Sequence, residues 1–129
     1  MKAIIILLSL MISPQIFAEI NWQTYSDSSV YAATKAGKKV VLGFHKKGCG
    51  TCNTQDAALE KTGITKNSNV VFLKVERKNK DHDATYKKYG FSQRQWASLV
   101  LLDKNGEVYR VKPGDTNKDK IALLAKKAI

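Results

Sequence analysis

Two cysteines separated by two residues, Cys49 and Cys52, constrain this chain most, because it has no other cysteine. Residues 39–44, just before the pair, form an apolar run typical of a buried strand, and residues 52–61 are typical of a helix. A strand that leads through C-x-x-C into a helix indicates redox chemistry more strongly than the pair alone. The unpaired N–H groups of a first helical turn favour a thiolate, which is the nucleophile of thiol–disulfide exchange.

Residues 1–18 are typical of a secretory signal peptide. Lys2 provides a positive start, residues 3–12 are almost entirely apolar, and Ala18 is a small residue before Glu19. The apolar run is shorter than the roughly 18–20 residues that a membrane-spanning helix needs, so an uncleaved anchor is the alternative. We therefore expect cleavage before Glu19, a periplasmic or secreted mature protein, and no stable membrane insertion.

The remaining residues, 19–129, have the length of one domain that can bury a core without disulfide staples. A bridge between cysteines so close in sequence would also remove little chain entropy. Export would place the pair in an oxidising compartment. The domain therefore does not need a disulfide for its stability, and the two cysteines call for another explanation.

The formal net charge of +11 indicates attraction to acidic partners. The basic residues are spread along the chain in short pairs, with no dense run and no interleaved aromatic residues. We therefore expect no nucleic-acid binding, and we assign the charge to solubility and loose electrostatic steering. We also expect a monomer.

Periodicity and turn residues predict the other elements of residues 19–129. The predicted helices cover residues 30–36, 52–61, 84–89 and 121–129, and the predicted strands cover residues 39–44, 70–75, 98–102 and 107–111. Asn105-Gly106 predicts a hairpin turn between the last two strands, and Thr116 with Asp119 predicts a capping box for the last helix. This order predicts an α/β fold with a central mixed sheet, in which parallel strands precede a C-terminal antiparallel hairpin, and with helices on both faces.

This order of elements and the position of C-x-x-C resemble the thioredoxin-like superfamily across residues 19–129. Trp22, a following helix and the segment at residues 37–42 are similar to exported members, among them the carboxyl-terminal domain of the membrane thiol:disulfide interchange protein. Residues 88–91 and 102–108 are similar to family segments too. The resemblance implies the thioredoxin-like fold.

The resemblance also implies that Cys49 is the exposed nucleophile and that Cys52 is the more buried resolving thiol, with a Cys49–Cys52 disulfide in the oxidised form. The expected partners are protein disulfides or dithiols and a redox protein that resets the pair. No cofactor and no metal is expected.

Four residues next to the cysteines are candidate supporting residues. Lys46 and Lys47 precede Cys49 and, with the helix N-terminus, are expected to lower the pKa of its thiol. Gly50 and Thr51 help to set the redox potential, but they do not distinguish an oxidase, a reductase and an isomerase.

The two histidines lead to different expectations. His45 could tune Cys49 or supply a proton near neutral pH, and its alternative is a surface or rim residue. His82 lies in a charged segment and is expected to be solvated.

Ala97 stands where the family usually has the cis-proline that faces the C-x-x-C pair. A cis bond before alanine costs about 2.5–4 kcal/mol, so we expect a trans peptide and a changed loop. In the family this segment pairs with the substrate backbone, so Trp96 and Ala97 are the candidate substrate-binding residues. Trp96 would form an apolar lid or substrate contact, or else a core or rim aromatic.

Gly43 stands where typical thioredoxins have a buried acidic residue that assists proton transfer at the resolving cysteine, and Phe72 appears at the place of its lysine partner. Deprotonation of Cys52 would then depend on solvent or on another group. Glu76, at the end of its strand, is a candidate, and its alternative is a solvated strand end.

Three functions remain open on the sequence alone. The leading hypothesis is an exported thiol–disulfide oxidoreductase. The second is a thioredoxin-like binding module whose cysteine pair is structural or vestigial. The third is metal binding, which would need a dimer or a further ligand such as His45, because two thiolates fill half of a tetrahedral site.

Overall fold

A computed structural model describes residues 19–76, 82–92 and 94–129, and its centre is a five-stranded mixed sheet. The strands are β1 (Gln23–Thr24), β2 (Lys39–His45), β3 (Val70–Glu76), β4 (Ser98–Asp103) and β5 (Gly106–Val111). The helices are α1 (Asp27–Lys35), α2 (Gly50–Lys61), α3 (Asp83–Lys88) and α4 (Lys118–Lys127), with a 3-10 turn at Ile64–Lys66. The predicted signal peptide, residues 1–18, lies outside the described residues.

The strand order is β1-β3-β2-β4-β5. Strands β1, β3 and β2 are parallel, whereas β4 is antiparallel to β2, and β5 to β4. The α/β mixed sheet with its C-terminal hairpin is therefore confirmed. β1 was not predicted, because two residues are too few to show a period.

Strand β2 lies in the middle of the sheet, and its side chains alternate between two apolar cores. Val41 faces a core built with residues of α2 and α4, among them Leu59 and Ile121. Phe44 faces a second core built with residues of α1 and α3, among them Tyr86. Helices on both faces of the sheet are thus confirmed, and β2 is buried from Val40 to its end.

Side-chain caps explain where the helices begin. Ser26 caps α1 through a hydrogen bond from Ser29 N, and α4 begins after Asn117, whose Oδ1 accepts from Asp119 N and Lys120 N. The predicted capping box at Thr116 is therefore wrong by one residue. In the described part of the chain, no helix is both long and apolar enough to cross a membrane.

Candidate active site

The two cysteines form a disulfide where β2 leads into α2. Cys49 is the N-cap of α2, and its Sγ accepts a hydrogen bond from Cys52 N at 3.0 Å. The Cα atoms of the pair are 5.3 Å apart. Cys49 is half-buried, but Cys52 is only 1% exposed. The bridge therefore joins one partly exposed cysteine to one buried cysteine.

The predicted supporting residues Lys46, Lys47, Gly50 and Thr51 lie before Cys49 or in the first turn after it. Lys46 and Lys47 are exposed between β2 and the cysteine, Gly50 is the first residue of α2, and Thr51 is half-buried. Cys49 thus lies at the positive end of a helix, which favours negative charge there, and two basic residues precede it in sequence.

The loop that faces the disulfide has no cis peptide among its described residues, and the peptide before Ala97 is trans. Ala97 is the only described non-glycine residue with a positive φ, 61°. Its N–H donates to Phe44 O at 2.8 Å, and its carbonyl accepts from Gly114 N at 2.9 Å and from Gln55 Nε2 at 2.6 Å. Hydrogen bonds within the protein therefore hold this changed loop in its left-handed conformation.

Trp96 lies at the rim of the core that contains Phe44 and also lines an open groove of about 320 Å³ that reaches Thr51, between the two cysteines in sequence. Lys46 Nζ is 4.2 Å from the centroid of its ring. Thr51, Arg94, Gln95, Ala97, Pro113 and Gly114 complete the lining of the groove. The two interpretations of Trp96, rim aromatic and substrate contact, are therefore compatible.

Gly43 leaves space that the indole ring of Trp22 occupies. A Cβ atom at Gly43 would lie 2.4 Å from Trp22 Cη2 and 2.7 Å from His45 Cε1. The residue beside Gly43 on β3 is Lys74, whereas Phe72 pairs with Val41. The expectation that Phe72 stands beside Gly43 is therefore wrong by two residues.

His45 contacts the carboxylate of Asp56 at hydrogen-bond distance. Its Nε2 lies 3.2 Å from each carboxylate oxygen of Asp56, and its Nδ1 lies 3.3 Å from Gly43 O. Trp22 Nε1 donates to Asp56 Oδ2 at 3.3 Å, and the rings of Trp22 and His45 are 5.0 Å apart. His45 is only 8% exposed, so the interpretation as a surface residue is wrong.

The sequence interpretation missed Asp56, although a signal was present. Asp56 follows Cys52 by four residues, which places both on one face of a helix. The candidate acid Glu76 is exposed and lies 3.9 Å from Lys74 Nζ. Asp56 is therefore the carboxylate that shares a helix face with the buried cysteine.

His82 is buried, not solvated as its charged neighbours in the sequence suggest, and is 3% exposed. Its Nδ1 accepts from Glu76 N at 2.9 Å, and its Nε2 lies 3.2 Å from Tyr25 O, to which it donates. A neutral ring satisfies both contacts. His82 thus ties β3, α3 and the segment after β1 together, away from the disulfide.

Within residues 19–76, 82–92 and 94–129, no three His, Cys, Asp or Glu side chains are grouped so that they could hold a metal ion. His45 is engaged with Asp56 and Gly43. The described residues thus contain no site that would add ligands to the two cysteines.

Comparisons with known proteins show the fold. No protein-family model and no curated protein sequence matches the chain. Among solved structures, Trxlp from Edwardsiella tarda is 20% identical with a TM-score of 0.63, covering 84% of this chain and 98% of its own. Thioredoxin f from spinach chloroplast is 24% identical with a TM-score of 0.63, covering 88% and 96%. A Thermus thermophilus thioredoxin is 18% identical with a TM-score of 0.64, covering 87% and 89%. The chain therefore has the thioredoxin fold.

Proposed function

We propose that this chain is an exported thiol–disulfide oxidoreductase that exchanges disulfides with partner proteins. The observation that carries the proposal is the unequal exposure of two bridged sulfurs at the start of a helix on a thioredoxin fold. A partner sulfur can reach Cys49, but it cannot reach Cys52. The two cysteines therefore have different tasks.

In the reduced chain, the Cys49 thiolate attacks one sulfur of a partner disulfide. A bond forms between Cys49 and that sulfur, and the other partner sulfur leaves as a thiolate that takes a proton from water. The Cys52 thiolate then attacks the Cys49 sulfur, closes the internal disulfide and releases the second partner thiolate. The partner gains two electrons, and a separate redox protein must reduce this chain again. The same steps in reverse oxidise a partner dithiol.

The groove lined by Thr51 and Trp96 provides the surface on which a partner segment can lie. Ala97 is 1% exposed, and both its N–H and its carbonyl are bonded within the protein. Trp96 and Arg94, by contrast, line the open groove. We assign the partner contact to Trp96, and we assign to Ala97 the role of holding Trp96 in place.

The test is capture of a mixed disulfide. A Cys52→Ala variant lacks the resolving thiol, so partner proteins should remain bound through Cys49 and be released by a small dithiol reductant. The Cys49→Ala variant is the matched control and should capture none. Failure of Cys52→Ala to capture any exported protein, together with failure of the wild type to reduce a protein disulfide such as that of insulin, would overturn the proposal.

The second candidate is a binding module that recognises partners without exchange. It is favoured by the loop at Ala97, whose backbone is fully engaged in the protein. Such a module would have a Cys49 thiol pKa near the free-thiol reference of about 8.5. It would also keep its partner when both cysteines are replaced by alanine. Partner capture that survives this double replacement would favour the module over the enzyme.

Export rests on the sequence of residues 1–18, and the structure is compatible with cleavage before Glu19. Ile20 packs against the core, and its N–H donates to Glu60 Oε2 at 3.3 Å. Removal of residues 1–18 thus leaves these contacts intact. Amino-terminal sequencing of protein recovered from the periplasm or medium should begin at Glu19, and a mature chain that still contains residue 1 would contradict export by this route.

A further inference from the structure

We infer that the hydrogen-bonded pair of His45 and Asp56 exchanges a proton with the Cys52 thiol during resolution of the mixed disulfide. This inference rests on the proposed exchange function and assigns a task to two residues that the reaction above does not use. The need for it comes from burial, because Cys52 is 1% exposed and must lose its proton before it attacks.

The backbone brings the pair to Cys52 from two directions. Cys52 Sγ is 3.8 Å from Phe44 O, the carbonyl of the peptide that leads into His45. Asp56 lies one turn beyond Cys52 on the same face of α2, since four residues of a helix rise about 6 Å. His45 Nε2 closes this triangle at 3.2 Å from both carboxylate oxygens.

The hydrogen bonds of His45 indicate which form of the ring the site accommodates. Both ring nitrogens face acceptors, since Nε2 faces the Asp56 carboxylate and Nδ1 faces Gly43 O at 3.3 Å. Only the doubly protonated imidazolium can donate to both. The chain shown here carries the disulfide, the state in which the Cys52 proton has already left. In this inference, His45 is therefore the imidazolium when Cys49 and Cys52 form the disulfide.

The proton balance of the step follows. In the reduced chain, the pair consists of a neutral His45, with its Nε2–H on Asp56, and the Asp56 carboxylate, so it can take up one proton. The Cys52 proton moves to the pair, which gives imidazolium and a Cys52 thiolate. The thiolate attacks Cys49, and the partner thiolate leaves. When the disulfide is reduced again, the imidazolium returns the proton to Cys52.

Other charged and polar groups also lie near His45, and the experiment must distinguish their effect from that of the His45–Asp56 pair. Lys74 and Glu76 lie on the neighbouring strand β3, with Glu76 in register with His45. Trp22 donates to Asp56 from the segment before β1, and Tyr86 Oη donates to His45 O at 3.0 Å from α3. Lys46 and Lys47 follow His45 in sequence and are exposed. Glu76 is therefore the nearest charge-matched control position.

The experiment separates the two steps of exchange with a chromogenic aromatic disulfide reagent. Its first coloured thiolate reports the attack by Cys49, and its second reports resolution by Cys52. In His45→Phe and Asp56→Asn, resolution at neutral pH should slow about 10–100-fold, because acid–base assistance is worth at least that much. The first attack should change less than twofold. Asp56→Glu should restore part of the resolution rate, and the pH profile of resolution should lose an inflection in His45→Phe.

Each other outcome is informative. Equal slowing of both steps, or no slowing of resolution in either variant, would make the pair structural and overturn the inference. Equal slowing by Glu76→Gln would show an effect of general charge and would also overturn it. A wild-type protein that releases no first thiolate would instead count against the exchange function itself.

Discussion

The two histidines of this chain occupy equally buried sites but have opposite surroundings. His82 has one acceptor and one donor opposite its ring nitrogens, so a neutral ring can make both hydrogen bonds and link three segments of the chain. His45 has acceptors opposite both nitrogens, one of them a carboxylate, and it ends the strand that leads to the disulfide. The group that faces the second nitrogen therefore distinguishes the two histidines, and we assign the structural role to His82 and the proposed proton transfer to His45. The side of the molecule around His82 should govern stability, and the side around the disulfide should govern chemistry.

The sharpest test of this division is Cys49→Ala. We expect loss of all thiol–disulfide exchange, because the accessible sulfur is the nucleophile. The free energy of unfolding should stay within about 1 kcal/mol of the reduced wild type, since the side chain is half-buried and neither protein has the disulfide. Insulin reduction and urea denaturation measure the two quantities. Residual exchange through Cys52 would contradict the difference in exposure.

Ala97→Pro should destabilise the protein, although Ala97 lies in the loop that faces the disulfide. Proline requires a φ near −65° and has no N–H, whereas Ala97 has a φ of 61° and donates to Phe44 O. We expect a loss of about 3 kcal/mol in the free energy of unfolding. Ala97→Gly, which keeps the N–H and permits a positive φ, is the control and should stay within about 1 kcal/mol. A stabilised proline variant would mean that the loop adopts another backbone.

His82→Ala should show the reverse behaviour on the other side of the molecule. The change leaves the N–H of Glu76 and the carbonyl of Tyr25 without partners, so we expect a loss of about 2–3 kcal/mol. Exchange per folded molecule should be unchanged. Denaturant titration and exchange assays well below the midpoint provide the two readings, and slower exchange in the folded variant would break the division.

Tyr25, which contacts His82, should make the free energy of unfolding depend on pH in the alkaline range. Burial, together with a hydrogen bond to Asp27, raises the pKa of the Tyr25 phenol well above its ordinary value. The folded state therefore holds this proton more tightly than the unfolded state. The contribution is complete below about pH 10 and falls as pH rises further, by up to about 1.4 kcal/mol per pH unit. Tyr25→Phe should flatten this alkaline decline of stability.

Burial also raises the pKa of Tyr89, so part of the decline should remain in the Tyr25 variant. Tyr89→Phe is the matched control. Unfolding free energies measured across the alkaline range should fall less steeply in each single variant than in the wild type. An unchanged slope in Tyr25→Phe would mean that another group dominates.

The sequence predicted the fold because each long element carries its own local signal. The apolar run of β2, the hairpin turn at Asn105-Gly106 and the glycine after α1 all depend on neighbours in sequence. The pairing of cysteines followed from the same local pattern. These features could be predicted because tertiary contacts reinforce what the local sequence already favours.

The missed features depend on register and on contacts between distant segments. Lys74, not Phe72, stands beside Gly43, and only the alignment of two strands decides this. His82 is surrounded by charged residues in the sequence but is buried by Tyr25, which lies 57 residues away. The sequence shows that Asp56 shares a helix face with Cys52, but it does not show the contact of Asp56 with His45 on another element. Contacts between distant segments have no signature in either partner's own neighbourhood.

The fit between Gly43 and Trp22 limits how this protein can change over evolutionary time. Any side chain at position 43 would collide with the indole and with the ring of His45, whose Cε1 lies 2.7 Å from the added Cβ. Replacing Trp22 alone would remove its hydrogen bond to Asp56. Homologues with glycine at position 43 should therefore keep an aromatic residue at position 22.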